Sequence, residues 1–424
     1  MRVLLISANR EEINMRAWPL GAASVAAATR ESGHEVVLLD LMSADCPESA
    51  VREAVEGFRP DIIGVSIRNV DDQNMADPKF FLGGVKDIIS GCKTLTSVPI
   101  VLGGAGYSIF PESLLEFLSA DMGIQGEGES AFPALLERLE NRENLSAVPG
   151  LYLPRTGPSG SRAFQKDLDR FPLPDSRFLP QYVSKGEEFW FPVQTRRGCP
   201  MSCSYCSTPT IEGYSLRKRS PEAVVRWLGD WVKLGVRRYY FVDNTFNLPR
   251  SYAKRLCSKI IAAHLDITWR CIIYPIGIDE ELAGLMASAG CKDVALGFES
   301  SSELVLHGMK KRFRPENVRT VCEILRKYGM QRMGFLMLGG PGETKESALA
   351  SLEFADSLKL DSMKVTLGIR IYPYTELAKT AVAEGLVKED DDLLTPRFYM
   401  TTSLESWLRE TVDCWMSTRP NWMK

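Results

Sequence analysis

The chain has 424 residues, 45% of them hydrophobic and 25% charged, with a net charge of −3 at neutral pH. That is an ordinary globular composition, long enough for two or three domains and a large core. The near balance of charge argues against a nucleic-acid partner, which asks for a basic face, and no stretch approaches the roughly 20 apolar residues of a membrane span.

Residues 2–7, RVLLIS, form a continuous apolar run, as a parallel strand buried on both faces should. The run is too short for a signal-peptide core and passes straight into polar ANREE. A small-residue helix follows at 20–32, with Gly33 as its stop. Strands are then expected at 35–41, 61–67, 99–104 and 122–126, separated by helices near 47–57, 81–91 and 111–119 and closed by one at 129–140. Strands alternating with crossover helices predict a Rossmann-like, doubly wound parallel sheet over 1–147, with ligands at the carboxyl ends of its strands. Glycine clusters fall at those ends, GGAGYS at 103–108 and GEGE at 126–129, where backbone can approach a flat ligand closely. Tight turns alone are the alternative. A dinucleotide is not indicated, because no G-x-G-x-x-G follows the first strand.

Residues 148–190 are rich in breakers (TGPSGS, FPLPD) and read as a linker. From 191 the alternation resumes, with strands at 189–195, 237–243, 267–273, 293–299, 332–339 and 362–369. Six strands with intervening helices predict a partial (β/α)6 barrel over 191–375. Residues 376–424 form a C-terminal helical segment in which Leu404, Trp407, Leu408, Val412, Trp415 and Met416 recur at three- and four-residue steps, an amphipathic helix docked on the barrel. The basic runs Arg217-Lys218-Arg219 and Lys310-Lys311-Arg312 read as solvated surface, with a phosphate or carboxylate contact as the alternative.

Three of the ten cysteines stand in RRGCPMSCSYCS: Cys199, Cys203 and Cys206, directly after the first barrel strand. Barrel active sites lie at that end. With no export signal or membrane span the default setting is the reducing cytoplasm, where clustered thiols are metal ligands or catalytic groups. The other seven are scattered, most of them small buried hydrophobes. Structural zinc wants four closed ligands, and His34, His264 and His307 are all distant in sequence. An iron–sulfur cube is normally held by four thiolates, so three leave one iron open to something else and point to a catalytic cluster. A zinc site completed from afar, or a chance trio, stays open.

The run resembles the radical S-adenosylmethionine family, whose pattern is C-x3-C-x-aromatic-C, with Tyr205 in the aromatic slot. The resemblance implies a [4Fe–4S] cluster on Cys199, Cys203 and Cys206, S-adenosylmethionine on the fourth iron, and its cleavage to a 5′-deoxyadenosyl radical by an electron from a flavodoxin- or ferredoxin-type donor. It extends over 191–375. In FVDNTF (241–246), Asp243 and Asn244 correspond to contacts of the methionine amino group. In GFES (297–300), Glu299, with Ser300 beside it, corresponds to the ribose contact; a carboxylate at a helix start is the alternative. GFLMLGGPGET (334–344) is similar to the segment beside adenine, and IYPYTEL (371–377) to a barrel-end segment.

The first half resembles the cobalamin-binding domain that precedes the barrel in a large subfamily. That implies corrin and tail contacts from Ala8 and Asn9 after the first strand, Ser66, Arg68 and Asn69 after the third, Gly103, Gly104, Gly106 and Ser108 after the fourth, and Gly126, Glu127 and Gly128 after the fifth. Methionine-synthase-like domains carry D-x-H-x-x-G after the first strand. Here that loop reads SANREEINMR, so the lower cobalt face is expected to lack a histidine. A degenerate Rossmann-like domain without cofactor is the alternative. The function implied is C-methylation of an unactivated carbon in a small-molecule or lipid-like substrate. A cobalamin-dependent rearrangement, cyclisation or oxidation, or a non-catalytic iron–sulfur or corrinoid carrier, are the alternatives. Methylthio transfer is disfavoured, because it needs a second cysteine trio and the first half has only Cys46 and Cys92.

Overall fold

The computed structural model describes residues 1–12, 18–179 and 189–424; residues 13–17 of the first loop and 180–188 of the expected linker lie outside them. The chain forms two compact units, Met1–Asp72 with Lys79–Trp190 and Ser207–Gly213, and Gln73–Pro78 with Phe191–Cys206 and Tyr214–Lys424.

In the first unit β1 (Arg2–Ser7), β2 (Glu35–Asp40), β3 (Ile62–Ser66), β4 (Ile100–Gly103) and β5 (Met122–Ile124) run parallel in the order β2-β1-β3-β4-β5. The continuous apolar runs of β1 and β3 are buried through Val3–Ile6 and Ile62–Val65, as a sheet covered on both faces requires. Helix Leu20–Glu31 lies close to the sheet through Ala22, Ala23 and Ala26, all buried. The expected linker supplies two further strands, β6 (Leu151–Leu153) and β7 (Gly157–Pro158), antiparallel at the β5 edge. Their breaker-rich sequence hides them, because hairpin edges carry turn residues and lack periodicity. The chain leaves β1 for β2 on one side and returns to β3 on the other, which opens a crevice at the carboxyl ends of β1 and β3.

The second unit is built on β8 (Phe191–Val193), with β9 (Arg196–Arg197) and β10 (Arg217–Lys218) as a short antiparallel pair beside it in sequence. Then come β11 (Arg238–Phe241), β12 (Thr268–Ile273), β13 (Cys291–Glu299), β14 (Gln331–Leu338) and β15 (Ser362–Leu367), a second short pair β16 (Ile369–Arg370) and β17 (Phe398–Tyr399), and β18 (Trp422–Met423). The main sheet is parallel, in the order β18-β15-β14-β13-β12-β11-β8. It holds the six expected strands plus β18, and β8 and β18 stay as edges, so the barrel is partial.

Burial in β12, β13 and β14 alternates: Trp269, Cys271 and Ile273, then Val294, Leu296 and Phe298, then Leu336 and Leu338 are buried, while the residues between them are half-buried. A filled barrel would bury both faces. Here one face packs and the other stays partly accessible. The packed face continues into aromatic contacts, with Phe191 4.5 Å from Trp231 and Phe241 5.0 Å from Trp269 between ring centres. The tail helix is Glu405–Ser417, buried through Leu408 and Val412 and preceded by buried Leu404, while Trp407, Trp415 and Met416 are only half-buried. Arg419 ties the tail to Asp356 at 2.9 Å. No helix of the described residues is long and apolar enough to cross a membrane.

Candidate active site

The cysteine loop starts from a buried ion pair. Asp243, just past β11, accepts from the backbone N–H groups of Thr195 (2.7 Å) and Arg196 (2.9 Å), the Thr195 hydroxyl (2.6 Å), and Arg196 Nε (3.1 Å) and Nη2 (2.8 Å). Arg196 also donates to the Phe246 and Leu248 carbonyls at 2.6 and 3.0 Å and stacks on the rings of Phe246 and Tyr252. Both side chains are almost fully buried, at 2% and 1% exposure. A carboxylate has about four lone-pair sites, so Asp243 is saturated by the protein itself. This corrects the expectation that it meets a methionine amino group: it anchors the strand end that launches the loop. Breaking such a pair leaves an uncompensated buried charge and costs about 3–5 kcal/mol. Asn244 beside it is half-buried.

The basic run 217–219 is a second correction. Arg217 and Arg219 are buried; Arg217 pairs with Arg197 in the β9–β10 ladder, and the Arg219 amide donates to the Thr195 carbonyl at 2.9 Å. The run braces the approach to Cys199.

Cys199 is buried, and Cys203 and Cys206 are half-buried. The Cys206 amide donates to the Cys203 carbonyl at 3.2 Å, closing a turn. Ser204 inside that turn is held from two sides: its amide donates to Met309 O (3.1 Å), and its carbonyl accepts from Leu377 N (2.9 Å). Burial pushes the Cys203 thiol pKa up and Lys311 opposes it, with Cys206 and Glu299 adding to the rise. Among the described residues no group of three Cys, His, Asp or Glu converges on a single ion. A cube does not ask for such convergence. Each thiolate takes a different iron, and three thiols in one half-buried loop fit that demand. Five of the remaining cysteines, Cys92, Cys257, Cys271, Cys291 and Cys322, are buried, while Cys46 and Cys414 are exposed.

Glu299 ends β13 in the left-handed region, at φ 61°, after a register shift between Gly297 and Glu299. Such bulges re-aim a side chain, and strain of this kind gathers at functional sites. Gly297 makes room for it: a Cβ there would stand 2.8 Å from Glu299 Oε1. That oxygen accepts from the Tyr205 hydroxyl (3.1 Å) and from Lys311 Nζ (3.0 Å), leaving Oε2 without a partner among the described residues. Burial lifts the Tyr205 pKa well above its usual value. Burial would lower that of Lys311, but the charge of Glu299, with Tyr205 and Cys203, outweighs it and the ammonium is held strongly. Lys311 is thus a third correction, and the second to the solvated-surface reading of the basic runs. Sequence inspection missed it because a Lys-Lys-Arg run does not say which member turns inward. Ser300 also departs from expectation. It is fully buried, its hydroxyl 3.0 Å from that of Ser351 and accepting from Ser302 N at 3.1 Å, so it fastens the strand end to helix Lys345–Ser357.

In the first unit a cavity of about 370 Å³ opens at the carboxyl ends of β1 and β3. Ala8, Asn9, Arg68 and Asn69, expected as corrin contacts, line it together with Phe80 and Phe81, an aromatic pair not singled out from sequence. Ser66 ends β3 in register with Ser7 and Gly103. The glycines divide. A Cβ on Gly104 (φ 97°) would lie 2.5 Å from Ile67 O, one on Gly106 3.2 Å from Arg68 O, and one on Gly128 2.8 Å from Val25. These three serve close packing within the protein. Gly103 meets nothing nearer than 4.0 Å, and Gly126 only the side chains of Arg162 and Phe164 at 3.8 and 3.9 Å. Ser108 is wired internally, donating to Gly104 O (2.9 Å) and accepting from Gly126 N (3.0 Å). Glu127 accepts from Gln165 N at 2.8 Å and fastens the segment beyond β7. A crevice at the strand ends, lined by the amides of Asn9 and Asn69, the Arg68 side chain and the Phe80–Phe81 pair, suits the edge of a corrinoid, while Gly103 and Gly126 lie outside that lining. His34, the first unit's histidine, precedes β2 at the opposite end of the sheet, 3.2 Å from the Met1 amino group.

These two sites belong to recognisable domains. Residues 6–136 match the B12 binding domain and residues 193–355 the radical SAM superfamily. The chain thus joins the two domains of the cobalamin-dependent radical S-adenosylmethionine enzymes, a B12 binding domain and a radical SAM domain. It is 29% identical to an uncharacterized methyltransferase of Pyrococcus horikoshii over 91% of this chain and 84% of that one. It is 25% identical to the tryptophan 2-C-methyltransferase of Streptomyces laurentii, over 88% and 73%. The radical S-adenosylmethionine methyltransferase TsrM from Kitasatospora setae, solved with cobalamin and a [4Fe–4S] cluster, shares the fold: TM-score 0.83, 24% identity, 90% of this chain and 78% of that one.

Proposed function

We propose that the protein methylates an unactivated carbon of a small molecule. The observation that carries the reading is one chain with a cavity at the carboxyl ends of β1 and β3, inside a B12 binding domain, and a three-thiol loop after the first strand of a radical SAM domain. Relatives named as methyltransferases support it. When bound, the cluster with S-adenosylmethionine supplies hydrogen-atom abstraction and the corrinoid supplies the methyl group; the protein positions them and excludes water.

Cys199, Cys203 and Cys206 are assigned to the cluster, and the Asp243–Arg196 pair orients their loop. Tyr205, Asn244 and the open Oε2 of Glu299 are assigned to S-adenosylmethionine. Ala8, Asn9, Arg68, Asn69, Gly103 and Gly126 are assigned to the corrinoid, and the loop after β1 offers it no histidine. We assign corrinoid binding to 1–147 and the radical chemistry to 191–375. An external flavodoxin- or ferredoxin-type protein supplies the electron, and the cytoplasm is the setting in which the thiols stay reduced.

The test is anaerobic turnover with methyl-labelled S-adenosylmethionine and cobalamin over acceptors from tryptophan to polycyclic lipids. Label in a product carbon, with 5′-deoxyadenosine formed alongside, is the expected result. Deoxyadenosine with an unlabelled, oxidised or cyclised product would replace methyl transfer with one of the other cobalamin-dependent outcomes.

A further inference from the structure

We propose that Lys311 is a positioning residue that sets how readily the cluster held by Cys199, Cys203 and Cys206 accepts its electron. The inference rests on the assignment of a cluster to those three cysteines. Lys311 is the member of its basic run that turns inward: its side chain is 5% exposed, while Lys310 and Arg312 are exposed. The segment that carries it is joined to the cysteine loop by the hydrogen bond from Ser204 N to Met309 O. Its Nζ lies 5.2 Å from the ring centre of Tyr205, the residue directly before Cys206 in the loop. Glu299 holds it there at 3.0 Å, and the same carboxylate oxygen takes the Tyr205 hydroxyl.

A buried ammonium in low dielectric acts strongly on nearby charge. One-electron reduction by an external donor adds a negative charge to a group already bound by three thiolates. The cation favours that state, and Glu299 moderates it. The two partners therefore act with opposite sign, which a pair serving only to hold the fold would not do.

The test is a redox titration of the anaerobically reconstituted protein with dithionite and mediators, without S-adenosylmethionine or substrate. The reduced cluster is read by paramagnetic resonance, and iron and sulfide are counted. In Lys311→Met the ratio of reduced to oxidised cluster at fixed potential is expected to fall about tenfold, 59 mV for a one-electron couple. Lys311→Arg is expected to restore it to within about threefold of wild type, and Glu299→Gln to raise it, on the ground that charge near the couple sets its potential. Full iron content in Lys311→Met with an unchanged ratio overturns the inference, as do shifts of the same sign in Lys311→Met and Glu299→Gln. If Lys311→Met does not fold, the Glu299→Gln arm decides: no rise there overturns it. A wild-type protein that takes up no iron refutes the cluster assignment instead.

Discussion

Glu343 closes the turn after β14 upon itself. One carboxylate oxygen accepts from the Gly339 amide, the other is buried without a partner, and the side chain is 4% exposed. Burial raises its pKa from the usual 4.5 to about 7, against the pull of the Gly339 and Gly340 amides. Below the unfolded value both states carry the proton. Between the two values the native state keeps it while the unfolded state has lost it, so stability falls as pH rises through that window and levels off above it. The size is about 3 kcal/mol if the whole shift is expressed. Glu343→Gln cannot titrate and is expected to flatten this dependence, measured as the urea midpoint at about pH 5 and about pH 8. An equal slope in both proteins would place the titrating group elsewhere. Asp243 and Glu299 show the same logic with opposite outcomes. The first is saturated by Thr195 and Arg196 and becomes architecture, while the second keeps one oxygen open and stays available for a ligand.

At the scale of elements, the two glycines that end β4 do different work. Gly103 has ordinary backbone and room above its Cα, while Gly104 has a left-handed backbone pressed on Ile67. Gly103→Val is therefore expected to fold with a stability change within about 0.5 kcal/mol and to lose at least about tenfold in cobalamin affinity through lost close approach. Gly104→Val is expected to lose about 2 kcal/mol or more of stability before any ligand is considered, because its Cβ strikes backbone in a strained conformation. Thermal unfolding of the cobalamin-free variants and retention of aquacobalamin on gel filtration separate the two effects. Undiminished retention by Gly103→Val would remove Gly103 from the site. The β9–β10 pair and the β13 bulge are elements of the same kind, short irregular pieces that aim side chains: β10 braces the approach to Cys199, and the bulge turns Glu299 toward Tyr205.

For the whole molecule, each unit has its own parallel sheet and its own ligand end. The Cys199→Ala, Cys203→Ala, Cys206→Ala triple variant is expected to lose its iron and all formation of 5′-deoxyadenosine while still taking up cobalamin. Iron analysis, chromatography of the nucleoside product and the cobalamin spectrum read the three properties separately. Because a ligand that binds only the folded state stabilises it by mass action, added cobalamin is also expected to raise the melting temperature of this variant. Deoxyadenosine from the triple variant would contradict the cluster assignment, and loss of cobalamin binding would show that the corrinoid site depends on the cluster loop.

The amino-acid sequence alone determined the strand alternation of β1–β5 and of the barrel strands, because continuous or alternating apolar runs between breakers are local patterns. It also determined the C-x3-C-x2-C spacing, because ligands close in sequence need no fold to bring them together. The tertiary structure decided the rest. Whether Arg196 is a surface charge or a buried clasp depends on Asp243, 47 residues away. Whether Lys311 faces water or the cysteine loop depends on Glu299, 12 residues before it and around a strand end. The short strands β6, β7 and β18 are two or three residues long, too short for any period. Gly103 and Gly104 are the same letter, and only the position of Ile67 separates the one that can meet a ligand from the one that lets two loops touch. Burial and charge pairing are set by distant partners, and no local pattern encodes them.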